Sequence, residues 1–400
     1  MSKLIKTTLG EITNNYDNVR VPLSVTQREK LAKNYRYFGA QGVIDYVDDY
    51  IFDGEYILVA EDGENLKSQK NNICNFVTGK FWVNNHAHII NASNGHDSKY
   101  LYYKLSLVNF RNYVTGSAQP KLTKENLNSI VLHIHKDNEQ KKITAVLSAL
   151  DAKIDCNNRI NAELEAMAKT LYDYWFVQFD FPDANGKPYK SSGGNMVYNA
   201  TLKREIPAGW ADSSVLAVAD LLGGGTPTKK KPEYWSGDIP FFTPTDADGT
   251  IFKFSTADYI TDEGLKGSST KLFGKHTVFI TARGSVGRLV LAGVDMAMNQ
   301  SCYALRAKPG VSYTYLFFLA KELIHHLQVK SSGSVFDSIV SNDIELTKLA
   351  IPKSEVIEKI VAIVEPAFEK IANNTKENQQ LAQLRDWLLP MLMNGQVTVA

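Results

Sequence analysis

KKITAVLSALDAKIDCNNRINAELEAMAKTLY (141–172) and EKIVAIVEPAFEKIANNTKENQQLAQLRDWLL (358–389) are one segment written twice. They sit inside a longer match in which 116–172 align with 333–389 at a constant offset of 217 and no gap. Gly116-Ser117 falls on Gly333-Ser334, and Lys142-Ile143 on Lys359-Ile360. Such self-similarity means one architectural unit used twice. Apolar residues recur in 4-3 steps through both copies: Ile143, Leu147, Leu150, Ile154, then Leu164, Ala168, Leu171, and Ile360, Val364, Ala367, Ile371, then Leu381, Leu388, Leu392. This is a heptad seam. Each seam is interrupted at the same central steps by two asparagines, Asn157 and Asn161 in one copy and Asn374 and Asn378 in the other.

An apolar stripe can face its own domain. A repeated polar interruption argues instead for two helices that pair with each other, the asparagines setting their register. The first helix is expected over Asp137–Phe176, opened by a capping box of Asp137 and Gln140. A helix of ~38 residues is about 57 Å long, which suits a spacer. Antiparallel pairing would place Ile143 near Leu388 rather than near Ile360. Pro366, opposite Ala149 in the alignment, is expected to kink or restart the second helix.

Upstream the repeat continues more weakly. Ile57-Leu58-Val59 before Gly63 resembles Val278-Phe279-Ile280 before Gly284, and Asn84 to Ile90 resembles Asn299 to Leu305. Tyr100-Leu101 matches Tyr315-Leu316, whereas Arg20–Asp53 has no clear partner in Gly223–Lys275. The expected organisation is a variable region over residues 1–136, a helix over 137–178, a Gly- and Pro-rich linker over 179–206, a second variable region over 207–353 and a second helix over 354–394. Short, glycine-punctuated strands such as Thr277–Ile280 and Arg288–Ala292 make the variable regions mixed α/β (α+β).

Four hundred residues, 44% hydrophobic and 22% charged, describe an ordinary globular chain. No apolar run approaches the ~20 residues of a membrane span, and Met1-Ser2-Lys3 opens no signal peptide. Three isolated cysteines (Cys74, Cys156, Cys302) indicate neither a disulfide framework nor a zinc site. A cytoplasmic setting is expected. The net charge of +1 lacks the basic excess of a stand-alone nucleic-acid binder, but local lysines or partner subunits can supply charge.

Catalytic motifs are missing. Gly223-Gly224-Gly225-Thr226 lacks phosphate-loop spacing, and Asp246-Ala247-Asp248-Gly249 fails the calcium-loop pattern. His86/His88 and His133/His135 have no third ligand for a metal. Arg283 breaks the nucleophile-elbow pattern around Ser285. No catalytic residue and no metal site are expected.

Binding groups are present. Thr226, Thr228 and Lys229, Lys230, Lys231 sit on a proline-fixed loop that leads into Glu233-Tyr234-Trp235 and suits phosphate oxygens. Arg283 and Arg288 flank glycines and can present forks to guanine or phosphate. Asn299-Gln300 and Asn84-Asn85 are amides suited to adenine edges at equivalent points of the two copies.

Gly225-Thr226-Pro227-Thr228, Pro232-Glu233-Tyr234-Trp235, Gly237-Asp238-Ile239-Pro240, Thr281-Ala282-Arg283-Gly284-Ser285-Val286-Gly287, Asn299-Gln300-Ser301-Cys302 and Ile351-Pro352 resemble target-recognition domains in specificity subunits of Type I restriction-modification systems. Ile206-Pro207 with Gly209-Trp210 resembles the usual domain opening. The first copy resembles the family through Phe38-Gly39-Ala40 with Gly42, through 53–63, and through Pro120-Lys121-Leu122, though it lacks the Gly-Thr-Pro and Arg-Gly-Ser-Val-Gly segments.

The resemblance implies two DNA-reading domains separated by two long antiparallel coiled-coil helices, related by an internal pseudo-two-fold repeat. It implies no catalysis in this chain. Its partners would be double-stranded DNA, methyltransferase subunits that bring S-adenosylmethionine, and a restriction subunit that uses ATP and Mg. The implied DNA-facing set adds Arg36, Tyr37, Gln41, Lys80 and Lys121 in the first copy and Thr243, Thr245, Ser285 and Ser334 in the second. A bipartite, gapped, asymmetric site is expected. Two other readings stay open here: a specificity-type component of a fused or bifunctional restriction enzyme, and a coiled-coil scaffold that binds only protein.

Overall fold

The computed structural model describes residues 4–116, 119–330 and 337–399. Ser117, Ser332, Gly333 and Ser334 lie outside the described residues. The chain forms two compact units, 1–154 with 380–400 and 155–379. Each therefore holds one variable region and one end of each repeated helix.

The first unit is built on strands β1 (Thr13–Asn15), β2 (Tyr35–Gly39), β3 (Gly42–Val47), β4 (Phe52–Ala60), β5 (Cys74–Val83) and β6 (Ala87–Ala92). They form one sheet in the order β1-β6-β4-β5-β2-β3. Ile57, Leu58, Val59 and Ala60 are all buried, as a central strand covered on both faces requires. Helix α1 (Ser98–Leu105) buries Tyr100 and Leu101 against this sheet's core, and α2 is the long helix Asp137–Tyr172.

In the second unit, β7 (Ala219–Gly223), β9 (Phe252–Lys253), β11 (Val278–Thr281), β12 (Leu289–Ala292) and β14 (Cys302–Ala307) form a five-stranded sheet in the order β7-β14-β11-β12-β9. Strands β8 (Trp235–Phe242), β10 (Asp258–Ile260) and β13 (Ala297–Met298) form a second sheet in the order β10-β8-β13. Helix α3 (Tyr313–Lys330) buries Tyr315 and Leu316, and α4 is the long helix Ser354–Met393.

The weak upstream repeat is a structural one. Ile57 faces Ile90 across β4 and β6, and Val278 faces Leu305 across β11 and β14. A further equivalence lies in the segment for which the sequence shows no partner. Phe38 pairs with Val83 in parallel, and Phe242 pairs with Met298 in parallel. Each variable region also closes on an antiparallel pair just before its long helix: Ile5–Thr8 with Val131–Ile134, and Ala211–Ser213 with Leu349–Ile351.

The long helices run antiparallel in both units. In the first, Ile143 and Leu147 share a core with Leu389, Leu392 and Met393, and Asp151 bridges Arg385 at 2.9 Å. In the second, Ala168 and Tyr172 share a core with Ile360, Val364 and Phe368. There Asn157 Nδ2 donates to Asn378 Oδ1 at 2.9 Å, and Asn374 Nδ2 donates to Asn161 Oδ1 at 2.9 Å. Asn157 and Asn374 are each 1% exposed, so these amides would cost stability unless paired. Paired, they penalise any slip of one helix past the other.

Three local expectations change. Helix α4 runs unbroken through Pro366. Pro366 and Ala362 both lie on the exposed face, so the carbonyl that loses its N–H partner can turn to water. Gln140 makes no capping box. It is fully buried, and its amide donates to His135 O at 2.7 Å while its oxygen accepts from Asp97 N at 3.1 Å. The Gly- and Pro-rich stretch 179–206 is anchored at its start, where Phe179 and Phe181 are buried and Phe181 stacks on Trp210 at 5.4 Å, while most of its middle is exposed.

Candidate nucleic-acid interface

The lysine loop of the second unit is exposed and backed by aromatic rings. Trp235 Nε1 donates to Thr228 O at 3.2 Å and pins the loop. Lys229 Nζ lies 5.8 Å from the Trp235 ring centre, and Lys231 Nζ lies 4.8 Å from that of Tyr234. The Tyr234 hydroxyl also bonds Lys231 and holds its ammonium above the ordinary lysine range. Lys230 and Thr226 are exposed, the Thr226 hydroxyl donating to Gln300 Oε1. Lys229, Trp235, Ser236, Gly237, Asp258 and Tyr259 line a cleft of about 530 Å³ beside the loop. Nothing local in the sequence marks Trp235 as the residue that pins the loop, because an indole's partners are set by the fold. Gly224 and Gly225 serve packing: a Cβ on either would strike Asn299 O or Ser269 Oγ.

The two arginines part company. Arg283 is exposed on the turn after β11, and its guanidinium has no partner among the described residues. Arg288 donates from Nη1 to Ala247 O, and it lines a separate cleft of about 490 Å³ with Lys321, His325 and Gln328. Arg288 is held in place, whereas the exposed Arg283 has no such anchor among the described residues. Ser285 is exposed at φ +50°, and its carbonyl accepts from Thr281 Oγ1 at 2.7 Å. Thr243 and Thr245 hydroxyls lie 2.7 Å apart, and Asp246 Oδ2 accepts from both N and Oγ1 of Thr243 at 2.8 Å.

The paired amides have a structural use. Asn84 Oδ1 accepts from His86 N at 2.9 Å, and Asn299 Oδ1 accepts from Ser301 N at 3.0 Å. Asn84 N donates to Phe38 O and Asn299 N to Phe242 O, each at 3.0 Å. Both asparagines thus build the same side-chain turn that ends a strand. Asn84 is only 7% exposed, whereas its neighbour Asn85, and Gln300 beside Asn299, lie on the surface.

In the first unit, Tyr37 is withdrawn from any surface: it is fully buried and its hydroxyl accepts from Leu23 N at 2.8 Å. Its ring is what β2 needs as a core residue. Arg36 Nη2 donates to Thr78 O at 2.7 Å and is half-buried. Gln41 is exposed in the β2–β3 turn. Lys80 is exposed, with Nζ 4.4 Å from the Tyr50 ring centre. Lys121 is exposed and pairs with Glu61 at 3.2 Å. The structure therefore gathers Thr226, Thr228, Lys229, Lys230, Lys231 and Gln300 around one loop and leaves the Arg283 guanidinium without a partner among the described residues.

The family model for the Type I restriction modification DNA specificity domain, Methylase_S, matches residues 3–166 and 207–383. The chain belongs to this family. Among relatives in it, a putative Type I restriction enzyme specificity subunit, S.HindORF215P of Haemophilus influenzae, is 26% identical over 94% of this chain and 90% of its own. The Type I restriction enzyme MjaIX specificity subunit of Methanocaldococcus jannaschii is 27% identical over 76% of this chain and 69% of its own. The crystal structure of the Type-I restriction-modification system S subunit from M. genitalium superimposes with a TM-score of 0.57 at 15% identity, covering 97% of this chain and 96% of that one. That likeness speaks to the fold.

In this specificity-family chain the two buried histidines, His88 and His135, are hydrogen-bonded to protein groups. His88 is 2% exposed, with Nδ1 2.7 Å from Asp17 Oδ2 and Nε2 2.8 Å from Leu122 O. His135 Nδ1 lies 2.8 Å from the Tyr100 hydroxyl. Burial pushes the Asp17 carboxyl up, but the hydrogen bond and charge of His88 outweigh it and bring it down to about 2. A carboxyl depressed on folding adds stability that is present above its unfolded pKa of ~3.9 and lost as pH falls through the folded value. Asp17→Asn should therefore lower the melting temperature at neutral pH and flatten its fall between about pH 4 and 2. Melting curves of wild-type and variant chains that drop in parallel over that window would show that this pair carries no acid sensitivity.

Proposed function

We propose that this chain is the specificity subunit of a Type I restriction-modification system and that each unit reads one half of a bipartite, gapped, asymmetric DNA site. The observation that carries the reading is one backbone frame built twice with unlike exposed side chains. Identical readers would select a symmetric site; unlike readers select two different half-sites. Half-sites approached from one face of a duplex are expected near one helical turn apart, on the order of 10 bp. Chemistry on DNA falls to partners: methyltransferase subunits with S-adenosylmethionine, and a restriction subunit with ATP and Mg. The long helices and their asparagine pairs act as a register-fixed spacer, and the chain itself carries no catalytic residue.

The test is the affinity of the assembled methyltransferase complex for cognate and singly substituted duplexes across salt. The wild-type complex should prefer its site over random duplex by on the order of 10³-fold or more. Arg283→Ala should relax one position at a cost of ~1–3 kcal/mol. Alanines at Lys229, Lys230 and Lys231 should weaken every duplex alike and lower the salt slope by roughly one per lost contact, because flexible ammoniums on a loop discriminate bases poorly. A wild-type complex without sequence preference overturns the reading.

A further inference from the structure

The turn that carries Arg283 exists twice. In the first unit Glu61 N donates to His86 O at 3.0 Å, and in the second Ala282 N donates to Ser301 O at 2.8 Å. Leu122 N donates to Glu61 O at 2.8 Å, and Ile339 N donates to Ala282 O at 3.0 Å. Asp62 bridges Lys121 as Arg283 bridges Ser338. The next residue in each is a glycine with positive φ, Gly63 at +106° and Gly284 at +64°. Four backbone relations thus place Asp62 where the other unit has Arg283, with His86 in the place of Ser301 and Lys121 in that of Ser338.

The frame is kept and the side-chain chemistry is inverted. Arg283 offers only donors, Asp62 only acceptors when ionised. His86 Nδ1 sits 2.6 Å from Asp62 Oδ2 and steadies the carboxylate. The other oxygen, Oδ1, has no partner among the described residues. The Asp62 side chain is 39% exposed and that of His86 52%. The nearby cation Lys121 is engaged by Glu61, which Arg20 also holds at 2.6 Å. The acceptor face of Asp62 is therefore open, oriented and not neutralised by the lysine opposite it.

We infer that Asp62, positioned by His86, is a specificity-determining residue of the first unit and accepts a hydrogen bond from an exocyclic amino group at a base edge, N4 of cytosine or N6 of adenine. Arg283 does the reverse in the second unit, donating to guanine acceptors. Carboxylate to amino group and guanidinium to guanine are the pairings the major groove offers these two side chains. The inference rests on the two-reader function proposed above. It adds that the shared turn discriminates the half-sites by reversal of hydrogen-bond polarity.

The experiment uses the full chain assembled with its methyltransferase subunits and reads modification across a library of singly substituted sites. Asp62→Ala should reduce discrimination at one base pair about 10- to 100-fold, the range of one lost base-edge contact. That position should lie in the half-site that survives exchange of 207–353, and the other half-site should be unaffected. Asp62→Asn, which keeps an oxygen acceptor, should retain most of the preference and serves as the folding control. Uniform weakening by Asp62→Ala, or intact discrimination, overturns the inference. If Arg283→Ala relaxes its own position while Asp62→Ala relaxes none, only the role of Asp62 falls and the two-reader function stands.

Discussion

Exchange of residues 207–353 for the matching segment of another family member is expected to replace one half-site and leave the other in place. The segment carries its own closure, because Ala211–Ser213 pairs with Leu349–Ile351 inside it. It also carries the lysine loop, the Arg283 turn and the self-contained core around Phe242, Phe279 and Met298. What it must match is the long-helix surface, where Ile360, Val364 and Phe368 join its core. Mapping methylated bases in DNA from cells that express the exchanged chain with its methyltransferase reads the outcome. Modification of the original composite site should fall by on the order of 10³-fold, the usual gap between specific and non-specific binding. If both half-sites change together, the units do not read independently.

The second large effect is on stability. Phe368 is fully buried, and its ring meets Phe318 at 5.5 Å, Phe317 at 5.7 Å, Phe252 at 6.3 Å and Tyr313 at 6.4 Å. It thus joins α4 to both α3 and the five-stranded sheet of the second unit. Phe368→Ala should cost about 3–5 kcal/mol, transfer energy plus the cavity left behind. Phe368→Leu should cost less, since it returns most of the volume. Urea unfolding of the three chains measures this, and a loss below about 1 kcal/mol for Phe368→Ala would mean the aromatic cluster closes over the gap. At the position aligned with Phe368 by the 217-residue offset, the first unit has Asp151, which pairs with Arg385. One repeat position is apolar in one copy and ionic in the other, so the helices match in register without being interchangeable.

Much of this was legible in the residues because it depends on period. The 4-3 spacing from Ile143 to Leu171 and from Ile360 to Leu392 marks one face of a long helix whatever lies nearby. Central asparagines at matching steps then restrict how the two faces meet. The anchors Ile57-Leu58-Val59 and Val278-Phe279-Ile280 could be aligned because buried central strands demand near-continuous apolar runs. Family membership was legible through the order of Gly-Thr-Pro, Arg-Gly-Ser-Val-Gly and Asn-Gln segments.

Other features depend on which distant atoms meet, and no local period records that. The equivalence of Phe38 and Phe242 lies in parallel pairing to Val83 and Met298, a backbone relation that tolerates almost any side chain. Asn84 and Asn299 read as base-reading amides until the turn claims their oxygens. Tyr37 reads as an exposed aromatic until Leu23 takes its hydroxyl. Pro366 reads as a break until its face proves to be the solvent side of α4. Asp62 and Arg283 share no chemistry, so only the hydrogen bonds of the turn reveal them as one position. Sequence by itself determined the repeated, seam-bearing helices and the family, because periodic burial is written residue by residue. Tertiary structure alone decided which polar groups remain free, because that depends on partners brought together from far along the chain.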